Sequence, residues 1–545
     1  MKKMLIALPV AAAAYVGAAW TTGRLVQAQI DTEMARLGSL LPTLKITEDK
    51  HVRGVFGSTR QTTLDLGALF NSADCPTPGG DEPEPEAELA EGEGAEAAPP
   101  PPGMGKPPAE PLLVTIKQTI THGPLPGLGL PAAAQVRYEW LVNGQPVTER
   151  LGLTIEGALP TLVARYGFTG NGVVTAKGEA AKLSFAGKEG AFTVSWPSLS
   201  ISGKTKADNS AMSYAGELPE LQFAFAGDPG KPGSEPLTVQ LRNLRFKADH
   251  EYPIAGQLFV YTGSDRFSVE RLSVSQGAKP LFDVQDFSAE GASALEAGLI
   301  ESGIQMSLAS VQAAETRLGP IHYDFTLAKL DAAAYGAVMQ KIMTNDLGSC
   351  PTPEQTMAFV GSLSEQLPAL LKAGPEFRID RLSIGHAGSE ALLSGRVTLP
   401  PTTPEALQNP MSLIGQVNAS ARLNVPDALI QALVVKAMGE RMATEMAIEA
   451  LAASGGDLAT APVPTAEQRQ QAEGIAQTLV AQQLEQALAK NWIVRGKAGI
   501  ESRVEYTAGR VVLNGQPLDL QGLQSRRGGP EQLPELPETP AGQSP

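Results

Sequence analysis

The sequence predicts a mainly β chain with helical segments, an α+β protein. A long, curved antiparallel sheet follows an N-terminal transmembrane helix, and further helices gather in the C-terminal half. The first observation behind this is a strand text that occurs twice, "FSVERLSVS" at 267–275 and "FRIDRLSIG" at 377–385. Phe267 and Val269 share one strand face, and Leu272 and Val274 return to it only after a one-residue slip. Phe377, Ile379, Leu382 and Ile384 repeat that slip. Such a slip turns the rest of a strand inside out unless a bulge or tight bend absorbs the extra residue. The same spacing recurs at Val194, Trp196, Leu199 and Ile201; at Val239, Leu241, Leu244 and Phe246; and at Phe282, Val284, Phe287 and Ala289. The apolar positions are kept while the polar ones drift, the reverse of a catalytic motif. Arg271 and Arg381 are therefore read as solvated bulge residues. Repeated units stacked edge to edge build a long sheet, and the eight apolar residues of the two copies are its expected ligand-facing surface.

The second observation is strand patterning from 112 to about 330, punctuated by Gly, Pro and Asn-Gly turns. The third is the N-terminus. Lys2 and Lys3 precede an apolar run at 4–20, close to the length that crosses a bilayer. Much of the run is alanine, so a cleaved signal peptide is the alternative. Leu25, Val26, Ile30, Met34, Leu37 and Leu41 carry an apolar stripe straight on. An uncleaved signal anchor is thus expected at 1–23, continued by an amphipathic helix at 24–41. With the lysines cytoplasmic, the body faces the periplasm.

The remaining elements follow in order. A β-rich body is expected at 42–71 and 112–425, interrupted at 72–111 by a Pro-rich acidic tract that has too little apolar surface to fold. Helices are expected near 331–345, with Asp331 as N-cap, and near 354–373. Helical segments fill 426–491, a hairpin fills 492–524, and a disordered tail ends the chain at 525–545.

The 545 residues are 42% hydrophobic, enough for a large core. A net charge of −15 argues against nucleic acid, whose phosphates need a clustered basic surface. Cys75 and Cys350 both begin a "CPTP" text, and in an oxidising compartment a disulfide between them is expected. Two free thiols or a bridge between protomers are the alternatives.

No catalytic chemistry is legible. His51, His122, His250, His322 and His386 are scattered without metal-ligand spacing, so neither metal nor cofactor is expected. His122 in "THGPLP" reads as a turn histidine satisfied by backbone. "SGKT" at 202–205 lacks the glycine that opens a phosphate loop and reads as the turn of a strand, and "GLGLP" at 127–131 reads as a turn.

The anchor ending "WTTG", "RGVFGS" at 53–58, "THGPLP" at 121–126, the segment 318–331 and the closing "YTAGRVVLNGQPL" at 506–518 together resemble the bacterial YdgA-like family, whose central domain is the domain of unknown function 945. The resemblance spans most of the chain, and it implies a Gram-negative inner-membrane anchor with a periplasmic body. It brings no catalytic residues. The insertion at 72–111 and the paired cysteines depart from the family. In architecture the chain also resembles AsmA-type envelope proteins, which implies lipid handling in a β groove.

The expectation is a non-enzymatic, inner-membrane-anchored envelope scaffold whose curved sheet binds phospholipid or another apolar ligand. The alternative is a scaffold for envelope proteins or for a second copy of itself, using the helical stripe at 427–453. A cryptic hydrolase is third.

Overall fold

The computed structural model describes residues 45–65, 113–126, 131–142, 145–146, 153–187, 190–227, 234–257, 259–313, 316–344, 352–401, 415–453 and 463–518, with single positions between 19 and 31 and at 413. These residues form a large antiparallel sheet of 26 strands with a few helices. The chain divides into two compact units. The first holds residues up to 302 with 311–315 and 330–370, and the second holds 303–310, 316–329 and 371–545.

In the first unit β1 (Lys45–Arg53), β2 (Gly57–Asp65), β3 (Leu113–His122) and β4 (Ala134–Val142) form a meander, and β5 (Gln145–Pro146) folds back on the end of β4. Three interrupted lines follow: β6 (Leu153–Gly157) with β7 (Thr161–Tyr166), β8 (Gly172–Gly178) with β9 (Ala181–Gly187), and β10 (Gly190–Trp196) with β11 (Leu199–Thr205). Four unbroken strands complete the run: β12 (Ala211–Phe225), β13 (Leu237–Glu251), β14 (Thr262–Gln276) and β15 (Lys279–Glu296). Broken and unbroken lines share one register. On β12, Ser195 faces Gln222 and Ser200 faces Glu217, so five residues separate the pairs on both sides.

The interruptions fall in one transverse row. Leu218 pairs with Leu244 and Glu220 with Arg242, leaving Pro219 and Asn243 between them without a ladder pair. Two strands further, between β14 and β15, Val269 pairs with Phe287 and Arg271 with Gln285, leaving Glu270 and Asp286 unpaired in the ladder. Pro160, Pro197 and Pro219 all lie in this row, where a missing N–H costs no ladder bond. Asn243 and Asp286 take positive φ there (49° and 51°), a conformation that Asn and Asp tolerate better than most side chains.

This revises the expected kink. In the first copy no register shift separates β13 from β14, and against β15 the one shift lies at Val274–Ser275 rather than at Glu270, because neighbouring strands carry the extra residue at the same level and the slip becomes a crease across the sheet. The instance from Val194 to Ile201 is not one strand but the junction of β10 and β11. The second copy does contain a bulge: β20 (Glu376–His386) shifts register against both of its neighbours around Asp380. "SGKT" lies inside β11 and is not its turn.

After β16 (Leu299–Leu308), β17 (Ser310–Ala313) and β18 (Thr316–Leu318), the second unit is built on β19 (Ile321–Asp331), β20, β21 (Ser389–Thr398), β22 (Asn418–Pro426) and β24 (Gly499–Thr507), paired in that order. The short β23 (Val494–Arg495) lies beside β24, which continues into β25 (Arg510–Leu513) and β26 (Gln516–Leu518). Its hairpins turn on Ala387–Gly388, Ala508–Gly509 and Asn514–Gly515, both residues of each at positive φ, which matches strand twist.

The helices are capped as their sequences suggest. Asp331 Oδ1 accepts from the Ala334 N–H (2.9 Å) at the start of α1 (Ala332–Thr344). Thr352 and Gln355 form a capping box for α2 (Pro353–Ser364). The single helix expected at 354–373 is two, because Pro368 has no N–H for the Ser364 carbonyl; α3 (Leu367–Leu371) is separate. A short α segment (Asp427–Leu429) and a π turn (Ile430–Val435) lead into α4 (Lys436–Ala453), which packs on α5 (Ala466–Ala489). Gly439, Ala443 and Ala447 of α4 are buried, as are Ala472, Ala476 and Val480 of α5, and small side chains at four-residue spacing let the two backbones approach.

Near the N-terminus, Ile30 is buried with Ile120, Ala134, Val136, Ala164 and Tyr166. Among the described residues no helix is long and apolar enough to cross a membrane; residues 1–18 lie outside them, as do Cys75, Cys350, "GLGL" at 127–130, the acidic tract at 72–111 and the tail from 519.

Candidate functional site

The slip has a chemical consequence. Because Val269 and Leu272 return to one face, both residues between them, Glu270 and Arg271, go to the other. One face of the first unit is therefore apolar on both sides of the crease. Below the crease Leu183, Val194, Phe223, Val239, Val274 and Phe282 make one cross-strand row. Above it Ile201, Gly216, Phe246, Phe267 and Ala289 make another. The opposite face is polar, as in the row Ser200, Glu217, Arg245, Ser268 and Ser288, where Arg245 and Glu217 are 3.1 Å apart.

Another packed layer would bury such a face, yet nearly all of it is part-exposed. Phe192, Trp196, Leu221, Phe223, Val239 and Leu241 are only partly covered, and Phe225 is 42% exposed. Phe267, Leu272 and Val274 are likewise part-exposed, and Val269 is buried. Phe185, Phe192 and Phe225 run as a ladder of rings at one end, with centroids 5.2 and 6.3 Å apart. Arg271 and Arg381 reach acids on the next strand, Asp283 and Glu390.

The other end of this face closes with polar groups. His250 Nε2 is 2.8 Å from Asp265 Oδ1, and the Tyr261 hydroxyl donates to Asp265 Oδ2 (3.1 Å). The Tyr214 hydroxyl approaches Oδ1 at 3.5 Å, and the His250 ring lies 4.2 Å from that of Tyr261. Burial first, and then the Asp265 charge, push the Tyr261 hydroxyl up to about 12, so it is a donor at any physiological pH. Close by, the Ser293 hydroxyl is buried without a hydrogen-bond partner, on the strand residue that faces Gly263, the neighbour of His250. A cavity of about 670 Å³ opens at these strand ends; its lining takes in Thr205, Met212 and His250 of this row and Lys204, Ser213 and Asp249 of the next, whose side chains belong to the polar face. In the sequence His250 is one of five scattered histidines, and nothing marks Asp265 as its partner. The only signal was the hairpin register that sets residue 250 against residue 263, and a loop of unknown conformation hid it.

The two stretches "RGVFGS" and "THGPLP" meet across β2 and β3. Ser58 Oγ and His122 Nε2 are 3.0 Å apart, and both residues are buried. His122 is thus held by a side chain at a strand end. Burial, then the Arg53 charge, lower its basicity. Beside it Arg60 joins Asp49 and Asp31 at 2.6 and 2.8 Å, which ties Asp31 to the sheet.

The second unit repeats the two-faced design. Leu327 faces Phe377 and Phe377 faces Val397, and the Phe325 and Phe377 rings stack at 6.0 Å. Phe377 and Val397 are 40% and 42% exposed, whereas Ile379, Leu382 and Ile384 are part-exposed. On its other face Glu376, 3% exposed, is held by Arg396 (2.7 Å), Arg378 (3.3 Å) and Lys329 (3.5 Å). Among the described residues no cluster of three or more His, Cys, Asp or Glu is placed to hold a metal.

Among known proteins, the model of a bacterial family described as protein of unknown function, DUF945, matches residues 1–521. No curated protein and no solved structure matches the chain.

Proposed function

The chain belongs to the bacterial family DUF945, and from the faces of its sheet we propose a non-enzymatic envelope protein, anchored in the inner membrane by residues 1–23, that binds lipid on a periplasmic β surface. The observation that carries this reading is the continuous apolar face of the first unit, left part-exposed from the Phe185–Phe192–Phe225 ladder to Tyr214. Monomeric soluble proteins rarely leave so large an apolar patch without a partner. The crease supports the same reading. One extra residue per strand on the polar side lengthens that side and bends the strands toward the apolar one.

Lipid extraction tests it. The full chain, purified under mild conditions and extracted with organic solvent, is expected to yield phospholipid enriched over a control periplasmic protein. A clean blank would sink the lipid reading. A second reading, a scaffold for a partner protein, is favoured by α2, which buries no residue and leaves Met357 74% exposed. The stripe at 427–453 supports it less, because Ile430 and Val435 are already packed against Ala476 and Val480.

A further inference from the structure

Resting on the proposed anchor at 1–23, we infer that the first unit stands end-on in the lipid surface, with the turns that carry Phe56, Leu125 and Phe168 inserted among the headgroups. Three neighbouring connections make this end of the sheet: 54–56 between β1 and β2, 123–133 between β3 and β4, and 167–171 between β7 and β8. The His122 N–H donates to the Phe56 carbonyl (2.8 Å) and the Ala133 N–H to the Tyr166 carbonyl (2.7 Å), which holds the three side by side. Because β2, β3, β4 and β7 pair in that order, three strand spacings, about 14 Å, separate the Phe56 and Phe168 turns. Val55, Phe56, Leu125 and Phe168 are 42, 51, 39 and 53% exposed. None of the three segments holds a charged residue. An end-on contact reaches both faces of a sheet, so it does not depend on which face each side chain takes.

The occupant is a bilayer because of where the chain enters and where its charge lies. Positions 24, 27, 28, 30 and 31 are helical, and from the end of the anchor to Ile30 is seven residues, about 10 Å of helix. Ile30 is buried against Ala133 and Ala134, where β4 begins, and Tyr166, where β7 ends. The anchor therefore leaves the membrane about 10 Å from residues that adjoin the turns, and apolar groups need enter only about 5–10 Å to reach the acyl boundary. The opposite strand ends are charged. Asp65 of β2 and Leu113 of β3 pair there, and the connection between them carries eight acidic residues from 81 to 96. Lys188 and Glu189 join β9 to β10 at that same end. Lipid phosphates repel the acidic tract, so the uncharged turns face the bilayer and the tract faces away. The next turn along, between β11 and β12, carries Lys206 and Asp208 and limits the apolar end.

The experiment uses the full chain, with Cys75 and Cys350 replaced by Ser, reconstituted in vesicles of phosphatidylethanolamine and phosphatidylglycerol. An environment-sensitive fluorophore is attached at one new cysteine: F56C, F168C, or A278C in the exposed β14–β15 turn at the opposite end. Lipid carrying a nitroxide at the headgroup–acyl boundary is expected to quench the label at 56 and at 168 several-fold more than the label at 278. Retention in the vesicle pellet after alkaline carbonate reads the anchor separately. Retention with equally weak quenching at all three positions would overturn the end-on docking and leave the anchor standing. Apolar emission at 56 and 168 without quenching by the lipid would overturn it in favour of a second copy or another protein on the turns. Release by carbonate would overturn the anchor, and the docking with it unless the labels at 56 and 168 were quenched before the wash.

Discussion

Gly216 and Phe246 face each other on adjacent strands, and the Phe246 ring fills the space a side chain at Gly216 would need. The ring covers the glycine and closes the apolar face above the crease. Gly216→Ala should overpack this contact and cost about 1–3 kcal/mol. Urea unfolding would show it, and adding Phe246→Leu to the same chain should restore part of the loss. A Gly216→Ala protein as stable as the parent would contradict the covered-glycine account.

Asn243 tests the crease. Its φ of 49° and its bond to Glu270 suit asparagine at an unpaired row. Asn243→Val should cost about 1–2 kcal/mol, the penalty for a branched side chain in a left-handed conformation. Asn243→Gly, free of that penalty, should lose less. If valine and glycine are equally tolerated by thermal melting, the row does not require a positive φ.

His122 sets a pH dependence. Its folded basicity lies below the ordinary value of 6.5 because the ring is buried and near Arg53. The unfolded chain therefore binds the proton more readily, and stability is lost as pH falls from about 6.5 toward the folded value. His122→Gln should flatten that part of the stability profile. An unchanged slope would mean that other groups set it.

Glu376 acts in a lower window. Burial is the largest influence on its carboxyl and pushes it up, but the hydrogen bonds from Arg396 and Arg378 outweigh it, so the group stays below its ordinary 4.5. Its contribution is full above that value and disappears as pH falls through the folded one. Glu376→Gln should cost roughly 1–3 kcal/mol at neutral pH, because the arginines keep contact with water. The gap between the two proteins should narrow below pH 4.5, and a constant gap in denaturation at each pH would refute the ion-pair origin.

The helix pair gives a steric test. A Cβ at Gly439 would lie 3.1 Å from the Glu473 Cα. Gly439→Leu should push α4 from α5 and lower the melting temperature more than Gly439→Ala, and an equal effect of both would place the contact elsewhere.

Asp331 announces its helix because a cap depends on neighbours three residues away, and Thr352 and Thr465, whose capping boxes start α2 and α5, carry the same local signal although the sequence analysis does not use it. The slip between Val269 and Leu272 is equally local, so it could be read. What it does could not. Whether it becomes a bulge, as at Asp380, or an in-register crease, as at Glu270, depends on whether the adjacent strands slip at the same level. The His250–Asp265 contact was hidden for a related reason, since residues 15 apart meet only once the loop between them sets the pairing.

By itself the sequence determined the β-rich class, the strand faces and the absence of a recognisable catalytic motif, because alternation, turn residues and spacing are properties of short segments. Only the tertiary structure decided that the slips align into one crease, that Phe223 and Val239 join one apolar face, and that His250, Asp265 and Tyr261 close its end. Those relations depend on register between strands, and register is set by the summed packing of whole strands and loops rather than by any residue pair that can be read alone.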